Sequence, residues 1–177
     1  MESIKKINQK IKDEVLAQGE LLSVKLISKL LEKKNVKAIP TDARQLIVTD
    51  ENFGNAKPIQ QVSKEKVQHY FKKHQNKVPI VTGFIGANKK EETTTLGRNG
   101  SNYSAALLAN FLDAEELQNY THVDGIFTAN PDFVHEAKRL SNLSYAEANE
   151  LANFGANILH AKTIIPLIEK NIPLRIL

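Results

Sequence analysis

The sequence predicts a three-layer α/β sandwich built on a largely parallel sheet. Short apolar runs rich in β-branched residues alternate along the chain with longer stretches of helical periodicity, the pattern of strands joined by crossover helices. With 177 residues, 41% of them apolar and 25% charged, the chain is one domain or a large piece of one and can bury a proper core. No internal repeat or low-complexity linker marks a domain boundary.

Each element follows from its local pattern. Residues 19–34 read as an amphipathic helix, with Leu22, Leu26, Ile27, Leu30 and Leu31 at helical spacing and Asn35 as a stop. Residues 36–40 form a short strand and residues 45–49 another, followed by a polar loop over 51–57. Residues 63–74 are a second helix, with Val67, Tyr70 and Phe71 inward. Residues 78–85 read as one buried strand ending at Gly86, with a charged hairpin tip over 87–92 and a return on 93–96. A helix over 101–112 follows, then a strand over 117–123 and a turn at Asp124-Gly125. Residues 144–152 form a helix opened by a capping box, Ser144 with Glu147, and broken at Phe154-Gly155. A last helix carries Pro166 near its first turn, and the closing IPLRIL is strand-like.

Composition excludes several classes. There is no cysteine, hence no disulfide and no thiolate metal site. No apolar run reaches membrane-spanning length, and the first residues, MESIKKINQKIKDE, are charged throughout and make no signal peptide. The cytoplasm is the default location. The net charge of +4 is carried by lysines scattered over helix faces, as at Lys33-Lys34 and Lys72-Lys73, without an arginine-rich or aromatic-interleaved stripe. Neither a nucleic acid nor a membrane is the expected partner; a positive field suits an acidic small substrate. His69 and His74 lie on a helix, exposed, and His122 and His135 lack acidic neighbours at ligand spacing, so no metal site is expected.

The chemistry concentrates in TTTLGRNGSNYSAALLA, residues 93–109. A threonine-rich strand end passes into a Gly-Arg-Asn-Gly-Ser loop that opens a helix. Gly97 and Gly100 let the backbone turn tightly and approach a ligand. Ser101 is placed as the helix N-cap. The N–H groups and positive dipole end of the helix suit an anion, and Arg98 adds a forked cation in the same loop. Together they predict a small-anion site for a carboxylate or a phosphate.

This run, with QGELLS at residues 18–23, VTGFIGA at 81–87, THVDGIFTANP at 121–131 and FGANILHAKTIIP at 154–166, resembles the aspartate kinases of the amino-acid kinase superfamily. The segments stand in the family's order and cover nearly the whole chain. The resemblance implies the family's αβα sandwich, truncated, with residues 1–177 as a partial catalytic domain. It also implies a parent reaction in which ATP, as its Mg²⁺ complex, phosphorylates L-aspartate at the entry to lysine, threonine and methionine synthesis. A homodimer is a further expectation, since amino-acid kinases commonly pair.

By the same resemblance, Glu20 holds the substrate ammonium, Arg98 a substrate carboxylate, and Ser101 and Phe84 line the amino-acid pocket. Thr121, Asp124, Phe127 and Asn157 fall at nucleotide-side positions, and His160 is read as structural. Several positions depart from the family pattern. Asn102 stands where the family has an aspartate that helps orient a catalytic lysine. Asp132 replaces an arginine and Asn157 a lysine. The family's opening strand with its Lys-Phe-Gly-Gly loop has no counterpart here, so the isolated chain is expected to have little or no kinase activity. A non-catalytic, amino-acid-binding relative is the alternative that these replacements leave open.

Overall fold

A computed structural model describes residues 8–121, 125–129, 133–153 and 161–177. It separates into two compact units, Met1–Ser104 and Ala105–Leu177.

The first unit opens with helix α1, Gln9–Glu32, which begins well before the predicted residue 19. Asn8 starts it, its side-chain oxygen accepting from the backbone N–H of Lys10 at 3.0 Å. The predicted leucine stripe does not face the core. Leu22, Leu26 and Leu30 are 69%, 59% and 53% exposed, while Asp13, Ala17, Val24 and Ser28 are buried. The small Ala17 and Ser28 let the helix lie close to the strands, and a buried carboxylate anchors it. Asp13 Oδ2 accepts from the backbone N–H groups of Gly54 (2.7 Å) and Thr95 (2.9 Å), and its Oδ1 accepts from the Thr95 hydroxyl (3.1 Å) and the Gln9 amide (3.1 Å). Periodicity gives a stripe but not the direction in which it points.

Strand β1, Ala38–Thr41, pairs in parallel with β3, Val78–Val81. The strand predicted over 45–49 is shorter: a 3₁₀ turn, Ala43–Gln45, takes its first residue, and only β2, Val48–Thr49, joins a ladder. Asp42 opens that turn by accepting from the Arg44 N–H (3.0 Å) and grips the Arg44 guanidinium (2.7 Å). Helix α2, Gln60–Lys73, is pinned to β2 by Ser63, whose hydroxyl accepts from Val48 N–H (3.0 Å) and donates to Val48 O (3.2 Å). Val67 is fully buried on α2, with Tyr70 and Phe71 half-buried, as the spacing predicts. His74 is half-buried at the end of α2 rather than exposed, its Nδ1 2.9 Å from Tyr70 O.

The single strand predicted over 78–85 is two strands. After β3 the chain bends through Thr82, Gly83 and Phe84, and β4, Ile85–Asn88, pairs in parallel with β2 and antiparallel with β5, Thr93–Thr95. The bend is set by Phe84, whose φ of 67° lies in the left-handed region that a bulky side chain resists. The hairpin tip between β4 and β5 closes as predicted, with Glu91 N–H donating to Asn88 O at 3.0 Å. The core of this unit is Leu46, Ile47, Val67, Ile85 and Leu96.

Helix α3, Gly100–Phe111, leads into the second unit. There β6, Leu117–Asn119, pairs in parallel with β7, Leu174–Ile176. Helix α4, Tyr145–Asn153, carries the predicted capping box: Ser144 N–H and Oγ donate to Glu147 Oε2 (2.8 and 2.6 Å), and Glu147 N–H returns to Ser144 Oγ (3.3 Å). Helix α5, Ala161–Ile168, holds Pro166 in its interior, not near its first turn. Asn110 Nδ2 donates to the Pro166 carbonyl at 2.7 Å, tying α5 to α3. Ala106, Ala109, Leu167 and Ile172 form one small core, and Ala148 with Ile164 another, with Tyr145 and Leu174 packed against both. Among the described residues three of the four strand pairings are parallel, as the alternation predicts. Among the described residues no helix is long and apolar enough to cross a membrane.

Candidate functional site

The amino-acid half of the predicted site lies in the first unit, where β5 delivers the loop Gly97–Arg98–Asn99–Gly100 to the start of α3. Gly97 (φ 79°) and Asn99 (φ 57°) both take left-handed backbone, and Gly100 N–H donates to Gly97 O at 3.0 Å. That turn starts the helix one residue earlier than predicted. Asn99 O receives the Tyr103 N–H (3.0 Å), so Asn99 takes the cap position and Ser101 sits inside the first turn.

The Gly83-Phe84 bend is stitched onto this first turn. Phe84 N–H donates to Ser104 Oγ (3.0 Å), Ser104 Oγ donates to Gly100 O (3.0 Å), and Leu96 N–H donates to Phe84 O (2.8 Å). Contact is close enough to require glycine twice. A Cβ on Gly83 would stand 2.8 Å from Ser101 Oγ and Cβ, and one on Gly100 would stand 2.6 Å from the Phe84 ring. Phe84 and Ser101, predicted together from motifs far apart in sequence, are therefore neighbours around one turn. The strain stored at Phe84 sits where a binding loop is over-determined by its surroundings.

Glu20 is half-buried on α1, seven residues after Asp13 and on the same helical face. Asp13 grips Thr95, three residues before Arg98, so one buried carboxylate fixes both the helix of Glu20 and the strand that feeds the loop. Among the described residues neither Glu20 nor Arg98 has an ion-pair or hydrogen-bond partner, and Arg98 is exposed. A half-buried carboxylate with no protein cation suits a ligand ammonium. Asn102 is half-buried one residue beyond Ser101. Asp13 carried no functional signal in the sequence, because it precedes the periodic stretch from residue 19 and its partners Gly54 and Thr95 lie 41 and 82 residues along the chain.

In the second unit, Thr121 is half-buried and donates its N–H to Leu177 O (2.9 Å), while Phe127 bridges antiparallel to Arg139. Gly125 (φ 137°) packs its backbone on the Arg139 side chain. A cleft of about 510 Å³ opens there, lined by Gly125, Ile126, Arg139, Tyr145, Arg175 and Leu177. Arg139 and Arg175 give it cationic walls that the motif reading missed, since neither stands in a segment that reads as a ligand loop; Arg175 pairs with Glu116 at 3.2 Å. Burial pushes the Tyr145 hydroxyl above the usual tyrosine range, and it donates to the Ile172 carbonyl. Asp124, Asn157, Asp132, His122 and His160 lie outside the described residues. Among the described residues no three His, Asp or Glu side chains group as metal ligands.

Comparison with known proteins fits this geometry. The model of the amino acid kinase family matches residues 2–177. Lysine-sensitive aspartokinase 3 of Escherichia coli is 40% identical over 162 residues, which are 91% of this chain and 36% of that protein. The structure of E. coli aspartokinase III with aspartate and ADP superposes with a TM-score of 0.91 at 38% identity, over 96% of this chain and 38% of that one. The aspartate kinase of Synechocystis gives 0.78 at 32% identity, over 97% of this chain and 28% of that one. The chain thus spans between 28% and 38% of the length of these three relatives.

Proposed function

Because the chain belongs to the amino acid kinase family and is similar to aspartokinases over nearly all its length, we propose that it is part of an aspartokinase catalytic domain. The whole protein would transfer the γ-phosphoryl of ATP to the side-chain carboxylate of L-aspartate. A carboxylate oxygen attacks phosphorus, the bond to the β,γ-bridging oxygen breaks, and 4-phospho-L-aspartate and ADP leave. Such a transfer asks the protein for positioning and charge neutralisation more than for covalent chemistry.

The observation that carries the reading is the clustering of Phe84, Ser101 and the Arg98 loop around one strained turn, with Glu20 half-buried and unpaired on the helix that Asp13 ties to the same strand. In this reading Glu20 takes the substrate ammonium, Arg98 forks onto a carboxylate, Ser101 adds a hydroxyl, and Phe84 walls the pocket. The nucleotide belongs to the second unit, where Thr121 and Phe127 lie, and Mg²⁺ arrives on its phosphate oxygens. The E. coli relative was solved with aspartate and ADP, the acceptor and the nucleotide product of the proposed transfer. Asn102 offers an amide where the family pattern places a charge, so it can hydrogen-bond a neighbour but cannot hold a cation electrostatically.

Calorimetric titration of L-aspartate into the folded chain, with and without Mg-ATP, tests the reading. Heat with L-aspartate and none with L-lysine is the expected result. A folded chain that gives no heat with L-aspartate in either condition would overturn the assignment of Glu20, Arg98 and Ser101.

A further inference from the structure

Two segments distant in sequence close on Thr95 of β5, three residues before Arg98. Asp13 of α1 accepts the Thr95 N–H at 2.9 Å and the Thr95 hydroxyl at 3.1 Å. Ala56, in the loop after β2, donates its N–H to the Thr95 carbonyl at 2.9 Å. Among the described residues β5 ends its sheet, and these bonds take the place of a further strand. The same loop backs the Arg98 turn itself. A Cβ on Gly97 would stand 2.7 Å from Asn55 Oδ1 and 3.3 Å from Gly54 O, while Gly54 N–H donates to Asp13 Oδ2 at 2.7 Å.

Asp13 also sets the level at which α1 meets that turn. Lys10 pairs with Glu92 at 2.6 Å, and three residues further along both segments Asp13 meets Thr95, so helix and strand run in the same direction. From Asp13 to Glu20 the helix rises about 10.5 Å, at about 1.5 Å per residue. From Thr95 to Arg98 an extended chain covers about 10 Å, at about 3.3 Å per residue. The two lengths match, so Glu20, on the same helical face as Asp13, stands level with the Arg98 turn. Of the other buried residues of α1, Ala17 and Val24 make apolar contacts, which have no direction, and Ser28 Oγ has no partner among the described residues. The Lys10–Glu92 pair lies at the surface, where salt screens it.

We propose that Asp13 is a positioning residue of the amino-acid pocket: through Thr95 and Gly54 it holds the Arg98 turn level with Glu20, so that one substrate spans both charges. This rests on the reading of the pocket as one for L-aspartate. The role follows from the shape and reach of the side chain more than from its charge. In Asp13→Asn the amide oxygen can take both backbone N–H groups, while the Thr95 hydroxyl and the Gln9 amide turn to meet the new donor.

Calorimetric titration of L-aspartate into variants of the full chain, beside amide NMR spectra recorded without ligand, tests the role. Asp13→Ala should weaken L-aspartate binding about tenfold, and Asp13→Asn should keep it within about threefold. The backbone amide signals of Arg98 and Asn99 should shift in Asp13→Ala and return in Asp13→Asn. Val24→Ala, a stability control on the same buried face of α1, should change neither readout. Where circular dichroism shows that Asp13→Ala does not fold, Asp13→Glu replaces it, since the longer side chain keeps the charge but displaces the two backbone partners. Wild-type affinity in a folded Asp13→Ala or Asp13→Glu chain, or an equal loss in Val24→Ala, would overturn the proposal. A wild-type chain that gives no heat overturns the aspartate reading instead. The amide signals then decide the role of Asp13 alone, and signals unmoved in Asp13→Ala exclude it.

Discussion

Arg98 is the residue whose role separates a binding loop from a tight turn. It is exposed and has no partner among the described residues, so removing it should cost the fold little. Arg98→Ala should lower L-aspartate affinity by about tenfold or more, and Arg98→Lys should recover only part, because an ammonium keeps the charge but not the fork. Equal affinity in all three chains, measured by calorimetry, would make the arginine incidental. Gly100 reports on the same site from the structural side. A methyl there would meet the Phe84 ring at 2.6 Å and Phe84 Cα at 3.2 Å. Gly100→Ala should therefore destabilise the chain by about 1–3 kcal/mol in urea unfolding and weaken aspartate binding together, as overpacking that displaces a pocket residue. A stability loss with unchanged affinity would detach Phe84 from the pocket.

Elements are held here by polar anchors as much as by apolar contact. Asp13 is the plainest case, a buried carboxylate with four hydrogen bonds, three of which fasten α1 to β5 and to the loop after β2. Asp13→Ala leaves the backbone N–H groups of Gly54 and Thr95 without their acceptor, and about 3 kcal/mol of stability should go with them, since hydrogen bonds to charged groups are the stronger ones. A loss below about 0.5 kcal/mol, the range of an ordinary surface substitution, would show that α1 is held by apolar packing alone. Ser63 of α2, bonded to Val48 of β2, repeats the device between helix and sheet, and the Thr49–Thr94 hydroxyl pair at 2.7 Å repeats it inside the sheet. These anchors explain why α1 turns small residues inward and leaves its leucines out. Among the described residues the predicted helices and strands kept their order; what moved were boundaries and facing, and one strand became two. The break of the 78–85 strand was hidden because Thr82, Gly83 and Phe84 continue a β-rich run, and only the left-handed φ of Phe84 reveals the bend.

Among the described residues, Glu92 and Glu147 give the stability an acid dependence and Tyr145 an alkaline one. Hydrogen bonds from Lys10 and then Asn88 hold the Glu92 carboxyl below its ordinary value, and hydrogen bonds from the Ser144 hydroxyl and backbone do the same for Glu147. A carboxyl with a depressed folded pKa contributes stability above its unfolded value and loses it as pH falls through the folded one. Tyr145 is shifted upward by burial, so its contribution is complete below the ordinary tyrosine value and disappears as pH rises through the raised one. The urea midpoint should therefore be flat near neutrality and fall at both ends. Salt should weaken the Glu92 share of the acid fall, because its Lys10 partner is exposed. Ser144→Ala should shrink the acid fall without touching the alkaline one. A midpoint unchanged between neutrality and about pH 3, below ordinary carboxylate values, would mean these carboxyls are not linked to folding.

The sequence by itself determined the α/β class, the mostly parallel pairing, the capping box at Ser144, the glycine-turned Arg98 loop and the family, because each is written in local spacing or in a contiguous motif. Tertiary structure alone decided which face of α1 is buried and that one strand would become two. It alone brought Gly83 against Ser101 and put arginines 139 and 175 in one cleft. A 3.6-residue period says that a helix has a stripe, but its direction is fixed only by what lies on either side. For α1 that is a buried aspartate gripping a strand 82 residues away, a contact that no local window of the sequence contains.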